Sequence, residues 1–307
     1  MQGLPLIVDI KRHSLEDGPG IRSVVFFKGC PLRCVFCQNP ETQRPGAEIA
    51  FVAARCVGCG DCVSACPAHA VDLAAPGRID RLRCDACGKC ATACPSSALT
   101  MMGRTYAVDE LVELLMRDEP YYRHSGGGVT FSGGECTLFP DYLEALACAL
   151  RVRGIHTVVE TCGEFAGAMF VDRLLPLIDL IYFDLKFADP ALHLAHTGRD
   201  NQRILRNLNL LMDKAPEQVQ VRIPLVPGIT ATVENLAGLA ACLRELGARR
   251  ATLLPYNPLG RIMAVQLGRP EPATPDRFMT REEQAAAIAM FEAAVASVHL
   301  AWEKAHD

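Results

Sequence analysis

The segment SVVFFKGCPLRCVFC, residues 23–37, joins a strand-like apolar run to three cysteines and decides how the rest of the chain is read. Cys30, Cys34 and Cys37 follow the pattern C-x3-C-x2-C and stop at three thiolates. An iron–sulfur cube normally takes one thiolate per iron, so a cube on three cysteines leaves one iron open. An open metal position is where a catalytic site receives its substrate. A buried or zinc-binding thiol group is the alternative, and the segment favours a catalytic iron–sulfur cluster.

Eight further cysteines form two runs of C-x2-C-x2-C-x3-C, each followed by proline. Their surroundings, RCVGCGDCVSACPAHAV and RCDACGKCATACPSSAL, align as an internal repeat typical of a two-cluster bacterial ferredoxin. In that fold the fourth cysteine of each run serves the other cluster. The expected ligand sets are Cys56, Cys59, Cys62 and Cys94 for one cluster, and Cys84, Cys87, Cys90 and Cys66 for the other. Zinc is a weaker interpretation, because zinc ribbons do not need this spacing twice.

Composition limits the classes of function that fit the chain. With 307 residues and 50% hydrophobic content, it is long enough for one large α/β domain and a small insert. A formal net charge of -4 gives no electrostatic case for binding nucleic acid or an anionic membrane. No targeting or membrane-spanning segment is predicted. Fifteen cysteines without an export signal indicate thiolate ligands rather than disulfides, so we expect a cytoplasmic protein of anaerobic metabolism.

Strand-like and helix-like segments alternate outside the cysteine-rich block. Short β-branched runs predict strands at residues 23–27, 129–132, 157–160, 180–185, 219–224 and 252–254. Apolar spacing of i, i+3, i+4, i+7 predicts helices at 108–116, 141–152, 204–212 and 233–246, and a closing helix at 282–304. This alternation indicates a parallel right-handed array, either a partial (β/α)6 barrel or a doubly wound sheet.

The expected domains are 1–50, which begins the barrel with the three-cysteine loop, 51–103, the insert, and 104–307, the rest of the barrel. Polar, glycine-rich or cysteine residues follow six predicted strands, and the carboxyl ends of parallel strands are where such folds build their sites. The sequence therefore predicts one site at that rim.

The ordered motifs GCPLRCVFCQNPET, SLEDGPGIR, FSGGE, ETCG, YFDLK, VRIPLVPG and LLPYNPLG resemble those of the glycyl-radical-enzyme activating enzymes. These belong to the radical S-adenosylmethionine (SAM) superfamily, and the insert is similar to that of their longer branch. The resemblance runs from about Ile7 to Gly260. It implies a partial (β/α)6 radical SAM barrel with an inserted ferredoxin-like domain that holds two [4Fe-4S] clusters.

The resemblance also implies roles for individual residues. SAM would fill the open iron of the cluster on the three-cysteine loop, with Phe36 and Gln38 near its adenine. The turn Gly133-Gly134-Glu135 would meet the methionine amino group, and Asp184 with Lys186 would hold the ribose and the carboxylate. Asp17 and Arg222 would contact the partner, with Arg222 at the barrel's open side. Glu160, Thr161 and Asp184 resemble a monovalent-cation site.

The implied activity is reductive cleavage of SAM to a 5′-deoxyadenosyl radical that abstracts hydrogen from a backbone glycine of a partner glycyl radical enzyme. Three [4Fe-4S] clusters and SAM are the expected cofactors, and flavodoxin or ferredoxin is the expected reductant. Two alternatives stay open at this point. One is a radical SAM enzyme with auxiliary clusters acting on another peptide or small molecule, and the other is a non-catalytic iron–sulfur electron carrier.

Two positions depart from the family pattern. Cys136 stands where many members have proline after GGE, and Asn257 stands where many have histidine. Asn257 can hydrogen-bond to the adenosine but cannot carry a positive charge. Cys148 and Cys242 lie on apolar faces of predicted helices, and we expect both to be small buried residues. Cys136 and Cys162 lie beside predicted site segments, which leaves a functional role open, but packing is the favoured interpretation for both.

Overall fold

The computed structural model describes residues 3–248, 250–295 and 301–304. Eleven strands alternate with helices along these residues. The strands are β1 (Leu6–Ser14), β2 (Arg22–Phe27), β3 (Glu48–Phe51), β4 (Leu99–Met102), β5 (Arg104–Thr105), β6 (Gly128–Gly133), β7 (His156–Thr161), β8 (Leu180–Asp184), β9 (Val219–Leu225), β10 (Arg250–Pro255) and β11 (Ala301–Lys304).

The helices lie mostly between successive strands of the large sheet. They are α1 (Asp61–Ser64), α2 (Lys89–Thr92), α3 (Val108–Met116), α4 (Glu119–Ser125), α5 (Pro140–Arg151), α6 (Gly167–Met169), α7 (Pro190–Thr197), α8 (Gln202–Lys214), α9 (Val233–Glu245), α10 (Leu259–Gln266) and α11 (Arg281–Val295). Local side-chain chemistry sets several of the starts. Proline occupies the first position of α5 and α7, where no backbone donor is needed, and the Thr232 side chain caps α9.

The large sheet has the order β11-β10-β9-β8-β7-β6-β2-β1-β5. Strands β2, β6, β7, β8, β9 and β10 are parallel neighbours in chain order, whereas β1 runs antiparallel to β2. A doubly wound sheet would reverse its strand order partway across, so this sequential order is that of the barrel type. Both edges of the sheet are occupied by added strands, and the described sheet is open rather than closed on itself.

The predicted elements of the barrel are confirmed. All six strands and the four internal helices begin and end within two residues of the predicted bounds. The predicted closing helix is confirmed to Val295 and is wrong at Ala301–Lys304, which form a strand paired parallel to β10. Residues 296–300 of that prediction lie outside the described residues. A helical apolar period cannot show where a chain turns back to extend a sheet edge.

The core is divided in two, and the cysteine-rich insert has its own part. Strands β2 and β6 are buried along nearly their whole length, as expected for parallel strands covered on both faces. A separate cluster that includes Ile49, Phe51 and Leu99 packs against cysteines of the insert. The antiparallel pair β3 and β4 forms the base of the insert and begins at Glu48, ahead of the predicted boundary at 51. Among the described residues, no helix is long and apolar enough to cross a membrane.

Candidate active site

One pocket lies at the carboxyl ends of the parallel strands, where the sequence analysis expects the site. Eleven of the predicted site residues line it: Cys30, Cys34, Phe36, Cys37, Gln38, Gly133, Gly134, Asp184, Lys186, Arg222 and Asn257. They lie on or after five of the parallel strands, namely β2, β6, β8, β9 and β10. The long-range pairing of the strands therefore brings together residues that are far apart in the sequence.

The three-cysteine loop, residues 30–37, is held by backbone hydrogen bonds rather than by regular structure. The Cys30 amide donates to the Gln43 carbonyl at 3.0 Å, and the Val35 amide donates to the His196 carbonyl at 3.0 Å. Arg33 Nη1 donates back to the Cys30 carbonyl at 2.7 Å. All three cysteines are free thiols that face one pocket. Thiolates are the donors that iron–sulfur clusters take, so this donor set fits the implied cluster.

Two glycines allow this loop to pack against its neighbours. A Cβ at Gly134 would collide with the Gly29 carbonyl oxygen, at the start of the three-cysteine loop. A Cβ at Gly260 would collide with the Cys37 carbonyl oxygen, where the loop ends. Only glycine lets the two backbones approach this closely. This close approach explains why glycine occupies these positions in the motifs SGGE and NPLG.

Glu135 does not line the pocket, in contrast to its expected contact with the methionine amino group. Its carboxylate is fully buried and accepts the Cys162 amide at 2.7 Å and the Thr161 hydroxyl at 3.0 Å. The Thr137 hydroxyl donates to it at 2.7 Å. A carboxylate holding these groups fixes the end of β7 against β6, so the glycines rather than the carboxylate of this turn face the pocket.

Asp184 and Lys186 form an ion pair inside the pocket. Lys186 Nζ lies 2.9 Å from Asp184 Oδ2, and the lysine side chain is 9% exposed. Burial alone would lower the pKa of Lys186, but the charges of Asp184 and Cys34 outweigh it and raise that pKa. The lysine is therefore a permanent cation beside the three-cysteine loop.

A second ion pair, between Arg222 and Glu160, occupies the same pocket. Arg222 is bonded to Glu160, and its guanidinium carbon lies 4.9 Å above the ring of Tyr182. The side chains of the pair are only 17% and 16% exposed, and Arg222 lines the pocket. Its Nε is buried without an acceptor among the described residues. That donor is available to a ligand.

This pair also changes the expected cation site. Glu160 is engaged by Arg222 and by the Ser132 hydroxyl, while the Thr161 hydroxyl donates to Glu135. Burial raises the pKa of Glu160 against the opposing charge of Arg222. The Arg222 side chain therefore already supplies a positive charge beside the Glu160 carboxylate, where the resemblance implied a monovalent cation.

We predict that Arg222→Ala lowers the free energy of unfolding by about 3 kcal/mol, because it leaves the Glu160 carboxylate buried and unpaired. The measurement is thermal and denaturant unfolding of the anaerobic, cluster-loaded protein. Adding Glu160→Gln to the Arg222→Ala variant should recover most of the loss, since no unpaired charge then remains. An unchanged unfolding midpoint in the single variant would contradict the importance of this pair.

Asn257 and Asp17 accept hydrogen bonds from other residues of the chain. Asn257 lines the pocket, and its Oδ1 accepts the Leu259 amide at 2.9 Å, which helps to begin α10. Asp17 lies outside the pocket lining, where its carboxylate accepts from Ser14 and its carbonyl accepts the Thr130 hydroxyl at 2.7 Å. Its charge still acts on Arg222, so the loop that carries it lies close to the pocket.

The cysteines expected to be packing residues differ from one another. Cys136 is fully buried and confirms that expectation, whereas Cys148 is exposed on α5 and contradicts it. Cys162 lines the pocket, and a hydrogen bond between its thiol and Cys30 lowers the pKa of Cys30. A fourth thiol thus lies beside the three-cysteine loop. Its position directly after Thr161, at the end of a predicted strand, was the available sequence signal.

The insert brings its cysteines together in two groups that cross between the repeats. Cys56, Cys59, Cys62 and Cys94, hereafter the first quartet, line one cavity together. Cys84, Cys87, Cys90 and Cys66 make up the second quartet, in which burial and the charges of Cys84, Cys66 and Cys87 raise the pKa of Cys90. A buried Nη1 of Arg78 has no acceptor among the described residues, and its Nη2 lies 3.9 Å from Cys56 Sγ. Both the thiol donors and this unused hydrogen-bond donor fit an iron–sulfur cluster.

Comparison with known proteins supports the same chemistry. Residues 81–240 match the Radical SAM superfamily, residues 55–99 match a 4Fe-4S dicluster domain, and residues 16–65 match a 4Fe-4S single cluster domain. The last match includes the three-cysteine loop. [4Fe-4S] clusters and SAM are therefore the cofactors of this chain.

Three individual proteins illustrate the similarity. The benzylsuccinate synthase activating enzyme of Thauera aromatica is 43% identical over 256 residues, covering 81% of this chain and 76% of that protein. The isethionate sulfite-lyase activating enzyme of Nitratidesulfovibrio vulgaris is 42% identical, covering 82% of this chain and 84% of that protein. The crystal structure of QueE from Escherichia coli shares the fold, with a TM-score of 0.50 at 14% identity over 99% of this chain and 94% of that one.

The pocket, the cysteine pattern and the relatives agree on one reaction type. The relatives are named for the enzymes that they activate, and each is similar to this chain over most of its length. The fold and the matched superfamily assign the chemistry to SAM and an iron–sulfur cluster. The chain therefore belongs to the radical SAM enzymes that activate glycyl radical enzymes.

Proposed function

We propose that the pocket is the SAM site of this activating enzyme and that the three-cysteine loop binds the cluster used there. The observation that carries the proposal is that one pocket is lined by the three thiols, the Gly133-Gly134 turn and the Asp184–Lys186 pair. When bound, the cluster and SAM supply reductive cleavage to methionine and a 5′-deoxyadenosyl radical, which takes hydrogen from a glycine of the partner.

The pocket residues would orient SAM through complementary charge. Lys186 places a permanent cation where a ligand carboxylate can pair with it, and Asp184 offers acceptor oxygens to ribose hydroxyls. The Gly133-Gly134 backbone can approach an ammonium group closely because no side chain intervenes. Phe36 and Gln38 also line the pocket and would lie beside the adenine. The unused Nε donor of Arg222 adds a contact for an anionic or carbonyl oxygen.

Three clusters in total follow from the cysteine grouping. The three-cysteine loop would hold one, and the first and second quartets of the insert would hold two, each with four thiolates. A low-potential flavodoxin or ferredoxin would supply electrons to them. A separate monovalent cation has less support, since Arg222 already pairs with Glu160.

The partner proposed for this chain is a glycyl radical enzyme in the same cytoplasm. Relatives of similar identity are named for activating benzylsuccinate synthase and isethionate sulfite-lyase, which are different enzymes. Similarity to these relatives therefore supports only the class of the partner. The members of that class share the glycine that is activated. The open edge of the sheet suits a macromolecular substrate, because a closed barrel would exclude it.

The decisive experiment combines the anaerobically reconstituted protein with SAM, a strong reductant and a candidate partner. We expect 5′-deoxyadenosine to form together with a glycyl radical signal on the partner, measured by electron paramagnetic resonance. A partner whose radical glycine is replaced by alanine should give no such signal, and it serves as the matched control.

The two alternatives give different results in this experiment. A radical SAM enzyme with another substrate would form 5′-deoxyadenosine but transfer no radical to any glycyl partner. An electron carrier would form no 5′-deoxyadenosine although all its clusters were present. Either result would overturn the corresponding part of the proposal.

A further inference from the structure

The cysteine-rich insert is joined to the barrel by a buried group of charged side chains. Lys28, fully buried at the end of β2, places its Nζ 2.9 Å from Glu48 Oε2 at the start of β3. Arg269 donates through Nη2 to both Glu48 oxygens at 2.9 and 2.8 Å. Glu48 is therefore held between the barrel, the segment after α10 and the base of the insert.

Arg81 connects the second quartet to this junction. Its Nη1 donates to the Ile49 carbonyl at 2.5 Å, and its Nη2 lies 3.4 Å from the Gln266 carbonyl at the end of α10. Arg81 lies three residues before Cys84, so these bonds fix the chain at the start of the second quartet to the junction.

The same junction continues to the three-cysteine loop. Arg269 Nη1 donates to the Pro40 carbonyl at 2.5 Å and lies 3.3 Å from Gln43 Oε1. Gln43 Nε2 donates to the Cys34 carbonyl at 3.3 Å, and the Gln43 carbonyl accepts the Cys30 amide at 3.0 Å. Successive contacts therefore lead from Arg81, three residues before Cys84, through the junction to the three-cysteine loop.

The first quartet lies at the opposite end of the small sheet. In the β3–β4 pair, Glu48 faces Met102 at the junction end and Phe51 faces Leu99 at the far end. Phe51 and Leu99 line the cavity of the first quartet. All residues that line this cavity belong to the sequence segment from Phe51 to Leu99, so none comes from the barrel. Three residue steps along the extended strand lead from Glu48 to Phe51, a distance of about 10 Å. The first quartet thus lies at the end of the small sheet away from the junction.

Resting on the proposed function, we propose that the two insert clusters act in a fixed order. The first quartet receives one electron from an external one-electron donor, a reduced flavodoxin or ferredoxin. The second quartet accepts that electron and passes it to the cluster on the three-cysteine loop. Each step oxidises one carrier and reduces the next by a single electron, with no atom transferred. Electron tunnelling falls steeply with distance, so the quartet at the junction makes the last transfer.

Two matched variants test the order, because Cys59 and Cys87 are the exposed cysteines at corresponding positions of the repeat. Each serine variant is mixed with reduced flavodoxin, and the reduced clusters are followed by freeze-quench electron paramagnetic resonance. In Cys87→Ser, we expect normal reduction of the first-quartet cluster and loss of reduction at the three-cysteine loop. In Cys59→Ser, we expect loss of reduction both at the second quartet and at the loop.

The reverse pattern would overturn the proposed order, as would rapid reduction of the second quartet by flavodoxin in Cys59→Ser. A small chemical reductant, titanium(III) citrate, bypasses the insert and should restore SAM cleavage in both variants. If the unaltered protein with all its clusters cleaves no SAM under that reductant, the proposed function fails independently of the order.

Two arginine variants decide the order if a serine variant loses its remaining insert cluster. Arg78, beside Cys56, and Arg81, beside the second quartet, are matched charges that leave all cysteines in place. Arg81→Gln should slow electron arrival at the three-cysteine loop without slowing the first reduction by flavodoxin. Arg78→Gln should slow that first reduction and leave the later transfer unchanged. Exchange of the two effects would overturn the order.

Discussion

Cys34→Ala should abolish SAM cleavage while leaving the insert clusters in place. The variant removes one of only three thiolates on the loop, so the loop keeps two ligands for a cube that needs three. Total iron should fall by about one third, since one of three four-iron clusters is lost. Formation of 5′-deoxyadenosine, iron content and the electron paramagnetic resonance of the reduced protein measure these effects.

Cys148→Ala provides the control for this variant. The side chain of Cys148 is exposed on α5, away from all three cysteine groups, so its removal should leave iron content and SAM cleavage unchanged. Retention of SAM cleavage in Cys34→Ala would show that the three-cysteine loop is not the catalytic site. Loss of all iron in that variant would instead show that the insert cannot hold clusters by itself.

Glu135→Ala should give the largest loss of stability among the single substitutions considered. Its buried carboxylate accepts hydrogen bonds from the Cys162 amide, the Thr161 hydroxyl and the Thr137 hydroxyl. Removing the acceptor leaves these donors buried and unsatisfied, at a cost of about 1–3 kcal/mol each. We expect the free energy of unfolding to fall by at least about 3 kcal/mol. Denaturant unfolding of the anaerobic protein measures it.

Glu135→Gln separates the two roles considered for this residue. Glutamine keeps an acceptor oxygen for Cys162 and Thr161 but has no negative charge to attract an ammonium group. If the Glu135 carboxylate only supports Thr161 and Cys162, this variant should largely keep its SAM affinity and lose a modest amount of stability. If Glu135 contacts the methionine amino group directly, the variant should be stable but lose most of its SAM affinity.

The elements of the barrel were predictable because each carries a local signal. The strand at β2 is a short β-branched and aromatic run, and α3 has apolar residues at the spacing of one helix face. The helix prediction for 282–304 is wrong at Ala301–Lys304, where a strand pairs with β10. Pairing partners of an edge strand are decided by the fold around it, so the local pattern could not show the end of that helix.

Most of the site was also predictable, because its residues lie in motifs at strand ends. The exceptions are side chains whose role depends on a neighbour that is distant in the sequence. Glu135 is turned toward Thr161 and Cys162, and Arg222 is paired with Glu160 within the pocket. Cys162 lies beside Cys30, although it was expected to be a packing residue. Motif spacing gives the position of a residue along the chain but not the direction of its side chain.

By itself, the sequence determined the donor chemistry of this protein: three cysteines in one loop, eight in two repeated runs, and glycines where the backbones meet. Ligand spacing is covalent and local, so it is visible before folding. Only the tertiary structure decided which groups face one another. It brought Gln43, Arg269 and Glu48 into one junction, since parallel pairing of strands and docking of α10 join segments that are far apart in the sequence. Packing, which is a long-range property, thus joins the base of the insert to the barrel and to the three-cysteine loop.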